Sequence, residues 1–109
     1  MTIAREEIFG PVMSILKFST VEEVIKRAND TKYGLVAGLC TNSIDTALKL
    51  ANEIRAGQIY VNTYGQVQLS APFGGFEESG IGRELSNDAL GNYLESKTVI
   101  IKRPEDSLP

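Results

Sequence analysis

Two neighbouring carboxylates, Glu6 and Glu7, are the side chains best placed for chemistry, because an aromatic and a chain reversal follow them at Phe9 and Gly10-Pro11. A carboxylate can accept hydrogen bonds from two hydroxyl groups, as the acidic residue of a dinucleotide site does on a ribose. An aromatic ring beside it can pack on a heterocycle. A solvated charge pair in front of a strand is the simpler interpretation, and the residues alone favour it.

A glycine-rich stretch over residues 71–85 is the second candidate. Glycine at this density indicates backbone that turns tightly or closely approaches another group. Phe73 and Phe76 flank its Gly74-Gly75 pair, and two large apolar rings favour a pocket wall over a solvated turn. The later part begins like a dinucleotide fingerprint, but Leu85 stands where a third glycine or alanine belongs.

Cys40 and Asn62 are weaker candidates. Cys40, the only cysteine, lies in an apolar run, which predicts a buried and inert thiol. Asn62 ends a predicted strand at the entrance to the glycine-rich stretch, where open α/β sheets bind ligands, although a turn-forming asparagine is equally compatible. Because the chain has no histidine, serine–histidine and cysteine–histidine catalysis and most zinc sites are excluded.

Composition narrows the class of protein and its partners. A chain of 109 residues with 42% apolar and 23% charged residues predicts one globular domain with a small core. A net charge of −3 without a basic cluster argues against nucleic acid and anionic membrane as partners. No bilayer-spanning run and no signal-peptide pattern is present, and the single cysteine fits a reducing compartment.

The elements that must position these residues alternate along the chain. The predicted order is a strand over residues 12–18, a helix opened by Thr20 and Glu23, a buried strand over 33–41, a helix capped at Asn42 or Ser43 and stopped by Gly57, a strand over 58–62, the glycine-rich loop, a helix capped by Ser86, and a strand over 98–101. This alternation predicts an α/β fold with a mostly parallel sheet, crossover helices and a terminal strand that can join another sheet. The remaining tail is predicted to be frayed.

Several motifs in this order resemble the aldehyde dehydrogenase superfamily over nearly the whole chain. They are Glu6-Glu7-Ile8-Phe9-Gly10-Pro11-Val12, Tyr33-Gly34-Leu35, Ala56-Gly57, Val61-Asn62, Pro72-Phe73-Gly74-Gly75-Phe76, Ser79-Gly80-Ile81-Gly82-Arg83-Glu84-Leu85 and Lys97-Thr98-Val99. The sequence looks most similar to the branch that acts on small aldehydes and retinal. The resemblance implies the C-terminal part of the family fold, with residues 1–96 in the later half of the catalytic domain and 97–109 forming an oligomerisation strand and tail.

The resemblance also implies roles for individual residues. Glu7 matches the carboxylate that holds the nicotinamide ribose, and Phe9 matches the aromatic beside the nicotinamide. Asn62 matches an asparagine that braces the active site, and Phe73, with residues 65–70, matches one wall of the aldehyde tunnel. Val67 stands where many relatives carry an aromatic, which implies a wider tunnel here.

The activity implied by the resemblance is oxidation of a small-molecule aldehyde to a carboxylic acid with NAD or NADP, through a thiohemiacetal and a thioester. Nothing in the chain matches the family's nucleophilic cysteine, its general-base glutamate or its cofactor domain, and Cys40 does not match the nucleophile. We therefore expect no catalytic residue and no metal site in this chain. The resemblance also predicts a homo-oligomer formed through Thr98-Val99-Ile100-Ile101.

Two hypotheses follow. The first is that the chain is the C-terminal part of an NAD(P)-dependent aldehyde dehydrogenase, and the second is a non-catalytic truncated product that acts at most as a binding or assembly module. The predicted location is cytoplasmic, with a mitochondrial one left open.

Glu77, which stands where many relatives carry a lysine, is a further departure from the family pattern because it reverses a local charge.

Overall fold

The structure, a computed structural model, describes residues 1–102 and has helices and short strands in alternation. Its elements are 3-10 helices at Thr2–Ala4 and Asn87–Asn92, helices α1 (Val21–Ala28) and α2 (Ile44–Glu53), and strands β1 (Tyr33–Gly34), β2 (Val36–Leu39), β3 (Gln58–Val61) and β4 (Phe76–Glu77). The order helix, strand, helix, strand over residues 21–61 confirms the α/β alternation predicted for this part of the chain.

Helix α1 begins with the predicted capping box. The Thr20 hydroxyl accepts a hydrogen bond from the Glu23 N–H at 3.2 Å, and the Glu23 carboxylate accepts one from the Ser19 N–H at 2.8 Å. The glutamate thus reaches one residue further back than the usual reciprocal pair. Helix α2 begins at Ser43, whose hydroxyl accepts from the Thr46 N–H at 3.2 Å. Both starts are set by local hydrogen bonds, which is why the sequence predicts them well.

The Asn29 side chain joins the ends of the two helices. Its amide nitrogen donates to the Glu53 carbonyl and its amide oxygen accepts from the Arg55 N–H, both at 2.8 Å. Helix α1 ends at Ala28, and Asn29 is its C-cap. Helix α2 ends at Glu53, so the prediction that Gly57 stops it is wrong.

Gly57 is a glycine for a different reason. Its backbone is not left-handed, but a Cβ placed on it would overlap the carbonyl oxygen of Gly74. At Gly57 the backbone at the start of β3 contacts the backbone of the glycine-rich stretch. No side chain fits between them.

The apolar run predicted as one buried strand forms two strands in two sheets. Strand β2 pairs in parallel with β3, and α2 is the crossover between them. Strand β1 pairs antiparallel with β4 instead. Two ion pairs lie beside this second sheet, Arg55 with Glu77 at 2.7 Å and Lys32 with Glu78 at 2.9 Å. One of the two sheets is thus parallel and the other antiparallel. The Glu77 charge noted in the sequence has Arg55 as its partner.

Three predicted elements differ from the structure. Residues 12–18 and 98–101 have no strand partner among the described residues, and the segment after Ser86 is a 3-10 helix rather than an α-helix. A strand requires hydrogen bonds to the backbone of a neighbouring strand. The apolar side chains of these two segments are exposed to solvent, with Ile15 80% and Ile100 89% exposed. The predicted tail beyond residue 102 lies outside the described residues.

The apolar core is much smaller than the composition predicts. Only Ala47 and Leu50, both on α2, are buried apolar residues in the described part of the chain. The accessible surface is 9576 Å², against about 5,900 Å² for a compact protein of this mass. The radius of gyration is 21.3 Å, against about 13 Å for a compact domain of this length. The chain is therefore much more extended and exposed than a compact globular domain of the same length.

Candidate functional site

Glu7 and Phe9 line one cleft of about 480 Å³ at the start of the chain. The Thr2–Ala4 turn forms one side of the cleft, and the reversal around Gly10 forms the other. Glu7 is exposed, so its carboxylate is free to accept hydrogen bonds from a ligand. The structure therefore brings together the two residues that the sequence predicts for cofactor binding.

The backbone of Phe9 is left-handed, with φ of 53°, and its side chain is 91% exposed. Left-handed backbone costs a residue with a Cβ roughly 1–2 kcal/mol, and bulky residues rarely adopt it. The ring gains no burial in return within the described chain. Strained residues of this kind cluster at ligand sites, so the strain favours a role in binding.

Glu7 also lines a larger cleft of about 570 Å³ on its other side. That cleft separates the N-terminal turn from β1 and β2 and from the segment that follows α2, and Arg5 and Arg55 contribute charge to its wall. Glu7 thus lines both clefts, as Glu6 and Ile3 also do. A ligand that enters either cleft can reach it.

Asn62 holds the end of β3 with its side chain. Its amide nitrogen donates to the Thr41 carbonyl at 2.9 Å, and its amide oxygen accepts from the Thr41 N–H at 2.8 Å. The Asn62 backbone N–H donates to the Leu39 carbonyl at 2.8 Å and extends the β2–β3 ladder by one residue. Asn62 has φ of 56°, a conformation that asparagine tolerates better than most residues. Its amide acts on the backbone here, as a brace.

Phe73 is half-buried and fixed by its backbone. It exchanges two hydrogen bonds with Glu84, at 2.8 Å and 2.7 Å, which folds the glycine-rich stretch back on itself. Phe73 lines a third cleft, of about 260 Å³, together with Gly74 and Arg83. Val67, by contrast, is 70% exposed in the segment that leads into this stretch.

Arg83 organises the glycine-rich stretch, a role that the sequence analysis missed. One guanidinium nitrogen donates to the Gly75 carbonyl at 3.0 Å and to the Gly82 carbonyl at 2.7 Å. The guanidinium carbon also lies 5.1 Å from the centre of the Phe76 ring. An arginine with nearby aromatics and glycines is the only signal of this role in the sequence.

The five predicted site residues do not meet in one pocket of this chain. Glu7 and Phe9 share a cleft, Phe73 lines a different one, and Asn62 and Val67 line none of these three clefts. Within residues 1–102, no three acidic or cysteine side chains are grouped so as to hold a metal ion. No helix in the same range is long and apolar enough to cross a membrane.

The prediction that Cys40 is buried is wrong. Its side chain is exposed, because β2 ends at Leu39 and the apolar run does not continue as an interior strand. In β2 itself Gly38 is exposed and the other three residues are half-buried. Burial of such a run requires covering elements on both faces.

Comparison with known proteins identifies the family. The model of the aldehyde dehydrogenase family matches residues 1–99. The chain is 57% identical to human retinaldehyde dehydrogenase 3 over 102 residues, which is 94% of this chain and 20% of that protein. It is 55% identical to an aldehyde dehydrogenase of Enchytraeus buchholzi over 104 residues, 95% of this chain and 21% of that protein.

Solved structures that resemble this chain belong to the same family. An indole-3-acetaldehyde dehydrogenase in complex with NAD+ superimposes with a TM-score of 0.91 at 50% identity, over 94% of this chain and 21% of that one. An NAD+ complex of aldehyde dehydrogenase from Bacillus cereus gives a TM-score of 0.85 at 53% identity, over 87% and 19%. The chain thus spans about a fifth of the length of these relatives. By sequence and by fold, it belongs to the aldehyde dehydrogenase family.

Proposed function

We propose that this chain supplies the nicotinamide-facing part of the catalytic unit of an NAD(P)-dependent aldehyde dehydrogenase. The observation that carries the proposal is the cleft where the exposed Glu7 carboxylate lies beside the strained and exposed Phe9 ring. In this proposal residues 1–96 are the later, C-terminal half of the catalytic domain, and residues 97–109 are the oligomerisation strand and tail.

Glu7 and Phe9 would act by holding the cofactor in place. A carboxylate can accept hydrogen bonds from both ribose hydroxyls, and the flat Phe9 ring offers a surface for the nicotinamide. NAD is supported because the solved relatives include NAD+ complexes. NADP differs from NAD at the adenosine ribose, which neither residue would contact, so the same cleft serves both cofactors.

The aldehyde would enter along the glycine-rich side of the chain. Phe73, fixed by its pair of hydrogen bonds to Glu84, would form one wall of the tunnel, and Val67 would leave more room than an aromatic does. Asn62 would brace the wall through Thr41. The reaction consumes an aldehyde, water and the oxidised cofactor, and yields a carboxylic acid, the reduced cofactor and a proton.

The nucleophile and the general base of that reaction would come from parts of the fold that this chain does not match. The isolated chain would therefore not oxidise aldehydes. The second candidate function, a non-catalytic binding or assembly module, is favoured by the exposed apolar side chains of residues 98–101, of which Val99 is 64% and Ile101 is 81% exposed. Such a segment can pair with another subunit, as a homo-oligomer would require.

The test of cofactor binding replaces the matching segment of human retinaldehyde dehydrogenase 3 with this chain and compares Glu7→Gln with Glu6→Gln. Both substitutions remove one exposed carboxylate from the same clefts. Glu7→Gln should reduce hydride transfer by roughly a hundredfold with an unchanged melting temperature, because the nicotinamide would be misplaced. Glu6→Gln should have little effect. An unchanged turnover number for Glu7→Gln would refute the role of this residue.

A further inference from the structure

The loop of residues 63–70, which leads from β3 into the glycine-rich stretch, is held at both ends by backbone hydrogen bonds. Before its start the Asn62 N–H is bonded to β2, and at its end the Ser86 N–H donates to the Leu69 carbonyl at 2.9 Å. Asn62 and Ser86 both have left-handed backbone, with φ of 56° and 50°. Such backbone in residues other than glycine persists only where the surrounding structure holds it. The two ends of the loop therefore have defined positions.

The Tyr60 hydroxyl holds the middle of this loop. Tyr60 lies on β3 and is half-buried, and its hydroxyl oxygen lies 2.9 Å from the Gln66 carbonyl oxygen. A main-chain carbonyl only accepts hydrogen bonds, so the hydroxyl donates to it. The hydroxyl oxygen also lies 3.0 Å from the side-chain amide oxygen of Gln58, and a half turn of that amide would present an N–H to it. Gln58 can therefore orient the hydroxyl towards the loop.

The Tyr64 ring of the loop packs at the same place. Its centre lies 5.5 Å from the centre of the Tyr60 ring, with an angle of 54° between the two planes. The ring also lies against Gly38, the residue of β2 that is paired with Tyr60, because a Cβ on Gly38 would come within 2.7 Å of it. A larger residue at this position would move the ring. Glycine and tyrosine side by side on the sheet thus form a surface that fits the loop.

The Gln66 carbonyl belongs to the peptide group that joins Gln66 to Val67. Because a peptide group is planar, a hydrogen bond to its oxygen also orients its N–H and the Cα of Val67. The Val67 side chain is 70% exposed, so the described chain does not fix its direction by packing. That direction depends on the backbone of the loop instead. The Tyr60 hydroxyl therefore controls where the Val67 side chain points.

We propose that Tyr60 is a positioning residue that determines how well long apolar aldehydes fit beside Val67. The inference rests on the proposed function, in which Val67 lines the aldehyde tunnel. Tyr60 itself would not touch the aldehyde, because it acts through the Gln66 carbonyl. A long apolar aldehyde contacts the wall along its whole chain, whereas acetaldehyde has a single methyl group to place there. Loss of the hydroxyl should therefore weaken binding of the long substrate and leave the chemical step unchanged.

The experiment uses human retinaldehyde dehydrogenase 3 with its matching segment replaced by this chain. Tyr60→Phe removes the hydroxyl and keeps the ring, and Tyr93→Phe, at a side chain that is 86% exposed, is the matched control. Tyr60→Phe should raise the KM for octanal by roughly three- to tenfold, the effect of losing one hydrogen bond, with kcat and the KM for acetaldehyde unchanged. Hydrogen exchange at the Ser86 N–H, which closes the loop, should become faster by a similar factor. Tyr93→Phe should change none of these quantities.

Val67→Phe separates this inference from the proposed function. It fills the tunnel wall directly, so it should raise the KM for octanal whether or not Tyr60 acts. If Val67→Phe raises that KM and Tyr60→Phe does not, the role of Tyr60 is overturned and the tunnel is retained. An unchanged KM in Val67→Phe would overturn the tunnel wall and the inference with it. Full turnover in Glu7→Gln would contradict only the cofactor role.

Gly38→Ala tests the same loop if Tyr60→Phe fails to fold by circular dichroism. Its Cβ would displace the Tyr64 ring, which is 69% exposed and can rotate away, so the β2–β3 pairing is kept. The loop would lose the surface that fits it, and the KM for octanal should rise while that for acetaldehyde stays the same. An unchanged KM for octanal in folded Gly38→Ala would overturn the inference.

Discussion

The sharpest single perturbation is Gly57→Ala. The added Cβ would overlap the carbonyl oxygen of Gly74 and lie 3.2 Å from the Cα of Gly75. Both obstacles are backbone, so no side-chain rotation relieves the clash. Either the start of β3 or the glycine-rich stretch must move, and forcing an extra methyl into a filled contact costs roughly 1–3 kcal/mol.

Gly91→Ala is the matched control. Gly91 lies in the Asn87–Asn92 helix, and a Cβ there meets no atom within 4 Å. Thermal denaturation followed by circular dichroism should show that Gly57→Ala lowers the melting temperature by about 4 °C or more, while Gly91→Ala does not. Equal melting of the two variants would show that β3 and the glycine-rich stretch are not in contact.

Three further outcomes are expected. Because Cys40 is exposed, a thiol reagent should label it in the native chain nearly as fast as in urea, and strong native protection would contradict the structure. Asn62→Ala removes both hydrogen bonds to Thr41, so amide exchange at Thr41 should rise by up to about tenfold, against no change if the brace does not form. The hydrogen bond from Lys49, at 2.6 Å, lowers the pKa of Glu22 below its ordinary value of 4.5, so this pair stabilises the fold above that pH and the contribution is lost as the pH falls through the lowered pKa. Glu22→Gln should therefore reduce the loss of stability on acidification, and an identical acid profile would contradict the pair.

Cofactor binding by Glu7 and Phe9 was predicted from short motifs, and it stays a prediction. Glu7 and Phe9 are close in sequence, so a single turn of chain is enough to bring them to one cleft. Phe73, Val67 and Asn62 lie far along the chain from them. Within residues 1–102 none of these three residues lines a cleft together with Glu7 and Phe9.

Local structure is what the sequence by itself determined. Helices α1 and α2 form their backbone hydrogen bonds within themselves, and each begins directly after a capping residue that accepts a hydrogen bond from the N–H three residues later. Periodicity and capping residues were therefore sufficient to place both helices. Tertiary structure decided everything that depends on a distant partner. Residues 12–18 have strand-like composition but no neighbour to pair with, and the run around Cys40 is apolar but uncovered. Gly57 is required by its contact with Gly74, seventeen positions away, rather than by the end of its helix. A strand or a close backbone contact is completed by residues that local patterns do not include, whereas a helix is completed by its own.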